Sequence, residues 1–296
     1  MKIDFKDIFN VLIILTLSIV FAFFANPKLI DIQNIPIFIL IMSSIYFIHW
    51  IVFLPSFIIR SEKYFDITGT FAYLFSLSLI FYFLITTQNV IKLRSLTVFM
   101  LISIWSIRLG CFLFSRIIRE KQDKRFANLK KSFSKFFVTW TVSGMWVFTT
   151  SLNGLTVIVN NVSYYNDFFY FIGLIIWIVG FLIEVISDEQ KRRFKINVEN
   201  KNKFISTGLW KISRHPNYFG EMLIWIGIAL ISFPTLVGFQ YFTLISPIFV
   251  IWLLTNISGI NLLEEKADLK WGQITSYVEY KENTPILIPF AKTFKS

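Results

Sequence analysis

The chain has a single cysteine, Cys111, and only two histidines, His49 and His215, in its 296 residues. One thiol excludes an intrachain disulfide and any cysteine-rich metal site. Two histidines so far apart leave a zinc or di-iron centre short of clustered ligands, so no metal is expected. Charge is scarce as well: charged side chains make up 16 % of the sequence, too few for an ordinary soluble globule. No internal repeat and no low-complexity linker divides the chain, so residues 1–296 are expected to form one membrane-embedded domain. What is abundant is apolar surface. Hydrophobic residues reach 55 %, with 35 Phe and 9 Trp, and the mean hydropathy is +0.63.

Apolar stretches long enough to cross a bilayer fall at about 8–25, 36–59, 67–87, 95–115, 136–159, 166–187, 216–232 and 236–257. The seventh is short, and 216–257 can be read as one re-entrant unit, so seven or eight transmembrane helices are expected in an all-α polytopic bundle. The net charge of +11 invites a nucleic-acid reading, but its distribution argues otherwise. Residues 116–135 and 191–214 carry eight Lys/Arg each and the tail after 258 carries five, whereas the connections near 26–34, 88–94, 160–165 and 233–240 hold three together. With eight spans and both termini cytoplasmic, nearly all of these basic loops lie inside. The expected partners are therefore membrane lipids with anionic headgroups, not nucleic acid. The N-terminal apolar run lacks a small-residue cleavage site and is read as a retained span.

Polar chemistry concentrates at Arg214-His215-Pro216-Asn217-Tyr218-Phe219-Gly220-Glu221. Pro216 suits the first turn of a helix and puts His215 at its entrance. Arg214, Asn217, Tyr218 and Glu221 then recur at three- and four-residue steps, on one face. An open helix N-terminus beside an arginine is a natural seat for phosphate or carboxylate. The plainer alternative is an interfacial anchor, with Arg snorkelling and Tyr at headgroup level.

Three other segments stand out. Arg108 lies inside the fourth span, where a charge costs about 2.5–3.5 kcal/mol, and Arg116 and Arg119 continue its helical face. Glu184 and Asp188 follow helical spacing toward Lys191 and Arg192 at the end of the sixth span. Glu184 is deep enough to pair with Arg108 or to bond a ligand. After Ser258-Gly259-Ile260 comes a hydrophilic tail with Glu264-Glu265, Trp271, Tyr277, Tyr280 and two prolines, expected to fold back as a lid on a cytoplasmic pocket.

These segments carry a family resemblance over about residues 60–290. "FDITGTFAY" at 65–73, "WSIRLGCFLFSRIIREKQDKRF" at 105–126, "IEVISDEQKRRFK" at 183–195, "STGLWKISRHPNYFGEMLIWIG" at 206–227, and the tail text "SGINLLEEKADLKWG" and "YVEYKENTPILIP" resemble the bacterial DUF1295 proteins, relatives of the steroid 5-alpha-reductase C-terminal family. The same superfamily holds isoprenylcysteine and phospholipid methyltransferases, which share an Arg-His-Pro-x-Tyr-x-Gly element.

The resemblance implies an NADPH-dependent membrane oxidoreductase that reduces a carbon–carbon double bond in a lipophilic, sterol-like, isoprenoid or acyl substrate. Asp188, Asn217, Tyr218, Glu221, Arg108 and Arg119 would line the cofactor pocket, with Arg192, Arg214 and His215 completing it; the arginines would hold phosphates. The alternative is an S-adenosylmethionine-dependent methyltransferase acting on a lipid or lipidated thiol, and a transporter or scaffold with a relict site is a third class. Where steroid reductases keep a catalytic tyrosine, this chain has Trp105, which has no phenolic proton to give. Tyr73 is then the expected proton donor by residue type, with His49 behind it.

Overall fold

The computed structural model describes residues 4–26, 31–32, 35–88, 90–163, 167–257 and 259–291. The chain is an all-α polytopic membrane protein; its only strands among the described residues are the antiparallel pair β1 (Asp31–Ile32) and β2 (Ile35–Pro36). Among the described residues eight helical segments are long and apolar enough to cross a membrane: Phe5–Ala25, Ile37–Ile58, Phe65–Gln88, Leu93–Glu120, Phe133–Asn160, Phe168–Ile196, Pro216–Thr235 and Gly238–Trp271. The upper expected count is the one found.

The chain divides into two compact units, residues 1–167 with 232–246, and residues 168–231 with 247–296. The first unit holds α1 (Phe5–Ala25), α2 (Ile37–Ile58), α3 (Phe65–Gln88), α4 (Leu93–Glu120) and α5 (Phe133–Asn160). α5 is its axis, packed against the other four. Its burial follows from composition: Trp140, Phe136 and Phe148 fill the core, while Gly144 lets the ring of Tyr46 on α2 come so close that a Cβ would lie 2.9 Å from it. At one end Asn161, left-handed at φ 45°, closes α5. Its amide donates to Gln88 Oε1 (2.7 Å) and Val90 O (2.8 Å), its Oδ1 accepts from Lys92 N–H (2.9 Å), and Arg94 pairs with Asp167.

The second unit holds α6 (Phe168–Ile196), α7 (Pro216–Ser232), α8 (Ile245–Trp252), α9 (Ile260–Trp271) and α10 (Thr275–Asn283), with the start of α8 belonging to the first unit. α6 runs beyond the expected end at 187 because Glu189 holds Arg192 and Arg193 at helical spacing and so supports a polar last turn. The expected span 236–257 is not one regular helix: a 3₁₀ stretch (Gly238–Leu244) precedes α8 and a π turn (Leu253–Ile257) follows it. Hydropathy reports apolar length and is blind to such changes of helical pitch.

Candidate functional site

α7 begins at Pro216, and Phe219 N–H donates to the carbonyl of His215 at 3.1 Å. His215 is thus the entrance residue, as the proline position predicts. Its own N–H donates to Ser213 Oγ (3.2 Å), and that hydroxyl donates to Leu287 O (2.7 Å). Arg214 N–H donates to Pro285 O at 2.9 Å, Tyr280 OH to Trp210 O at 2.6 Å, and Trp271 Nε1 to Asn202 O at 2.6 Å. The tail after α9 is therefore bonded to the loop that leads into α7.

That loop is shaped by Gly208, whose φ of +60° favours glycine and whose missing side chain leaves room for Gln190: a Cβ would lie 2.5 Å from its amide. Trp210 is buried, with its indole N–H on Ser187 O at 3.0 Å and Lys191 Nζ over its ring at 4.3 Å. It is packed, neither an interfacial anchor nor a free stacking surface.

Glu264 on α9 joins the two leading residues of the motif. Its Oε2 lies 2.7 Å from Arg214 NH1 and its Oε1 lies 2.8 Å from His215 Nε2. A carboxylate oxygen only accepts, so Nε2 carries the hydrogen and Nδ1 is an acceptor. Burial pushes the His215 pKa below its ordinary value, against the upward pull of Glu264, and the ring is neutral at pH 7. Nδ1 is buried with no hydrogen-bond partner among the described residues. Tyr218 stacks on the ring at 5.8 Å and 13°. Burial raises the pKa of Tyr277 and Tyr280, so both phenols stay protonated donors.

Beside this trio lies a cavity of about 620 Å³, bounded by Arg214, Glu264, Glu265, Asp268 and Lys281 among others. Lys281 Nζ sits 2.7 Å from Asp268. Carboxylates outnumber cations on its wall.

The acids of α6 are set by glycine. Gly173 and Gly180 on α6 face Gly227 and Gly220 on α7; a Cβ at any of the four would lie 2.6–2.7 Å from the carbonyl of its opposite. At Gly220 the added carbon would also meet Glu184 N at 2.7 Å. Backbone contact thus brings Glu184 to the turn that carries Glu221. Glu184, Asp188 and Glu221 are all buried, Asn217 and Tyr218 half-buried. Arg192, in contrast, is held by Glu189 through Nε (2.6 Å) and NH2 (2.7 Å) on its own helix.

In the first unit, Arg108 is half-buried with its guanidinium 5.4 Å from the Phe112 ring centroid. Arg116 lies 3.8 Å from both Asp66 and Asp123, and Arg119 is exposed. Burial would raise the Asp123 pKa, but its bonds to Arg125 and the charges of Arg125 and Arg116 prevail and hold it below the usual carboxylate range. His49 is fully buried. Its Nδ1 lies 2.8 Å from Ile45 O, so it carries the hydrogen there, and Nε2 accepts from Ser143 Oγ at 3.2 Å. Tyr73 is hydrogen-bonded to Thr150 Oγ1 and sets its ring edge-on to Trp105 at 5.4 Å.

Reasoning from sequence missed the part of Glu264 as a shared anchor, the capture of Arg192 by Glu189, and the facing glycines. The signals were present as Glu264-Glu265, an acid three residues before Arg192, and glycines seven apart on both helices. Ser258 lies outside the described residues. Among the described residues no group of three or more His, Cys, Asp or Glu is placed to hold a metal.

The family model described as "Protein of unknown function (DUF1295)" matches residues 52–284. The chain is also similar to proteins named 3-oxo-5-alpha-steroid 4-dehydrogenase 1. It is 29 % identical to that of Rattus norvegicus over 118 residues, 40 % of each chain. It is 30 % identical to that of Macaca fascicularis over 122 residues, 41 % of each, and 29 % identical to that of Homo sapiens, again over 41 % of each. The chain thus spans about two fifths of the length of these curated relatives. No solved structure matches it significantly.

Proposed function

The chain belongs to the DUF1295 family, and from that premise we propose that it is a membrane reductase that saturates a carbon–carbon double bond of a lipophilic substrate with NADPH. The observation that carries this reading is the similarity to proteins named as steroid 4-dehydrogenases. The cofactor residues we assign in the second unit are Asp188, Arg214, His215, Asn217, Tyr218 and Glu221; Arg192 would have to leave Glu189 to join them. The fit rests on His215, whose unpartnered Nδ1 accepts and so suits a ribose hydroxyl or a carboxamide N–H. Arg108 and Arg119 are assigned to phosphate by the resemblance. Bound NADPH supplies the hydride; the protein's share is binding, orientation and a proton.

For that proton we favour Tyr73 over His49. Both ring nitrogens of His49 are engaged, by Ile45 O and Ser143 Oγ, whereas Tyr73 has a phenolic hydrogen to pass to the oxygen of an enone as the enolate forms. Hydride and proton together saturate the double bond. The substrate reaches the protein from the membrane, both termini are cytoplasmic, and the tail after α9 serves as a lid. All 296 residues act as one embedded domain.

A second reading, an S-adenosylmethionine-dependent methyltransferase, is favoured by one feature. The cavity beside Arg214 is richer in carboxylates than in cations, and Glu264 already neutralises Arg214. A sulfonium–ammonium ligand fits such a wall better than phosphates do. Equilibrium binding of NADPH and of S-adenosylmethionine to detergent-purified protein decides between them. The reductase reading expects NADPH binding, and turnover of a 3-oxo-4-ene steroid that falls about 100-fold or more in Tyr73→Phe. Binding of S-adenosylmethionine alone would overturn it.

A further inference from the structure

Hydroxyls along α5 mostly satisfy themselves. Thr139, Thr141, Thr150, Ser151 and Thr156 each donate to the carbonyl four residues back, the usual way to hide such groups in an apolar helix. Thr149 departs from the pattern. It is wholly buried, and its Oγ1 has no hydrogen-bond partner among the described residues. One turn later Asn153 is 1 % exposed and its Oδ1 is likewise without a partner. A spacing of four puts the two atoms' residues on one face of α5.

The neighbouring bonds fix what each can do. Thr243 donates its only hydroxyl proton to Gln240 O at 2.7 Å, so its oxygen can only accept. Asn153 must therefore turn its Nδ2 to Thr243 Oγ1, at 3.0 Å, which leaves Oδ1 as a pure acceptor. Ser246 is spent as well. Its hydroxyl lies across the 149–153 step of the helix, donating to Thr149 O at 2.6 Å and accepting from Asn153 N–H at 3.2 Å. The surroundings that remain are one acceptor, Asn153 Oδ1, and one hydroxyl, Thr149, free to donate or accept.

Chemistry narrows the guest. A ketone, ether or ester offers no hydrogen to Asn153. An ammonium would bring an unmatched charge into a neutral interior. A neutral O–H donates to Asn153 and accepts from Thr149. We propose that Thr149 and Asn153 form a binding site for the hydroxyl of a lipophilic alcohol that enters from the membrane. The site involves neither the enone nor the cofactor of the reading above, and it stands or falls separately.

The test uses the purified full chain and two radiolabelled alcohols, farnesol and a 3β-hydroxysteroid, each compared with its methyl ether. At least one alcohol should bind about tenfold or more tightly than its ether, the loss expected for one hydrogen bond. Thr149→Val should abolish that preference and leave ether binding unchanged. Because Thr149 Oγ1 has no bond to lose, this near-isosteric variant should fold; Asn153→Leu, which also forfeits the Thr243 contact, is a second arm. The proposal is overturned if neither alcohol is preferred to its ether, as when the niche serves water only, or if Thr149→Val keeps the preference.

Discussion

Replacing Glu264 by glutamine changes almost no volume and removes one negative charge from between two donors. The wild-type carboxylate accepts a hydrogen bond from His215 Nε2 at 2.8 Å and forms an ion pair with Arg214, Oε2 to NH1 at 2.7 Å, in a place where Glu264 is 16 % and Arg214 12 % exposed. A hydrogen bond to a charged group is worth about 1.5–3 kcal/mol. Glutamine can keep its oxygen on His215 Nε2, and its NH₂ then faces the Arg214 guanidinium. The bond from His215 becomes a neutral one, while Arg214 stays largely buried without its counter-charge. The expected cost is about 2–4 kcal/mol, at the lower end because residual solvent screens the arginine. An SDS unfolding titration in mixed micelles measures it. Glu265→Gln, an exposed change one residue away, is the control and should lie within about 0.5 kcal/mol of wild type. If Glu264→Gln is equally silent, the carboxylate is not an anchor and the reasoning from its two contacts is wrong.

The same titration repeated across pH tests His215. Its folded pKa lies below the ordinary value of about 6.5, so the unfolded chain takes up the proton first; stability from this group is complete above about pH 6.5 and declines as pH falls toward the folded pKa. Removing Glu264 takes away the pull that raises this pKa, so the acid-side loss should extend to lower pH in Glu264→Gln; an unchanged profile would contradict it. Gly180→Ala or Gly220→Ala should cost about 1–3 kcal/mol by forcing backbones apart, and wild-type stability in both would refute the close approach. Reporter fusions after residues 128 and 200 should report cytoplasm and one near 163 the opposite side; the reverse would discard the orientation. Arg214→Ala should weaken NADPH more than S-adenosylmethionine, whereas Glu221→Gln should weaken S-adenosylmethionine more; equal losses in a matched-salt titration would remove both residues from the cofactor assignment.

Spans were legible because a bilayer imposes one simple demand, some twenty apolar residues in a row. The start of α7 was legible because proline has so few places in a helix. Charge was harder. Sequence spacing put Arg192 on the stripe with Asp188, but Glu189 was nearer and took it; local ion pairs compete with any ligand, and spacing alone does not rank them. Glu264 could not be assigned from sequence, since nothing in the 47 intervening residues between Pro216 and Glu264 says which part of the tail returns to the motif. Thr149 was invisible for a related reason: a threonine in a span reads as self-satisfied until its rotamer is seen.

The facing glycines of α6 and α7 have a mechanical consequence. Each helix carries its pair seven residues apart, and the four meet backbone to backbone. Sliding one helix by a single residue would drive side chains into carbonyls, and the next register that reunites glycine with glycine is a full seven steps away, about 10.5 Å at 1.5 Å per residue. Small slippage is thereby forbidden. The hairpin behaves as a ratchet locked at one tooth, so Glu184 and Glu221 keep their relative height whatever else moves, and any gating of this unit must come from the tail and its loop.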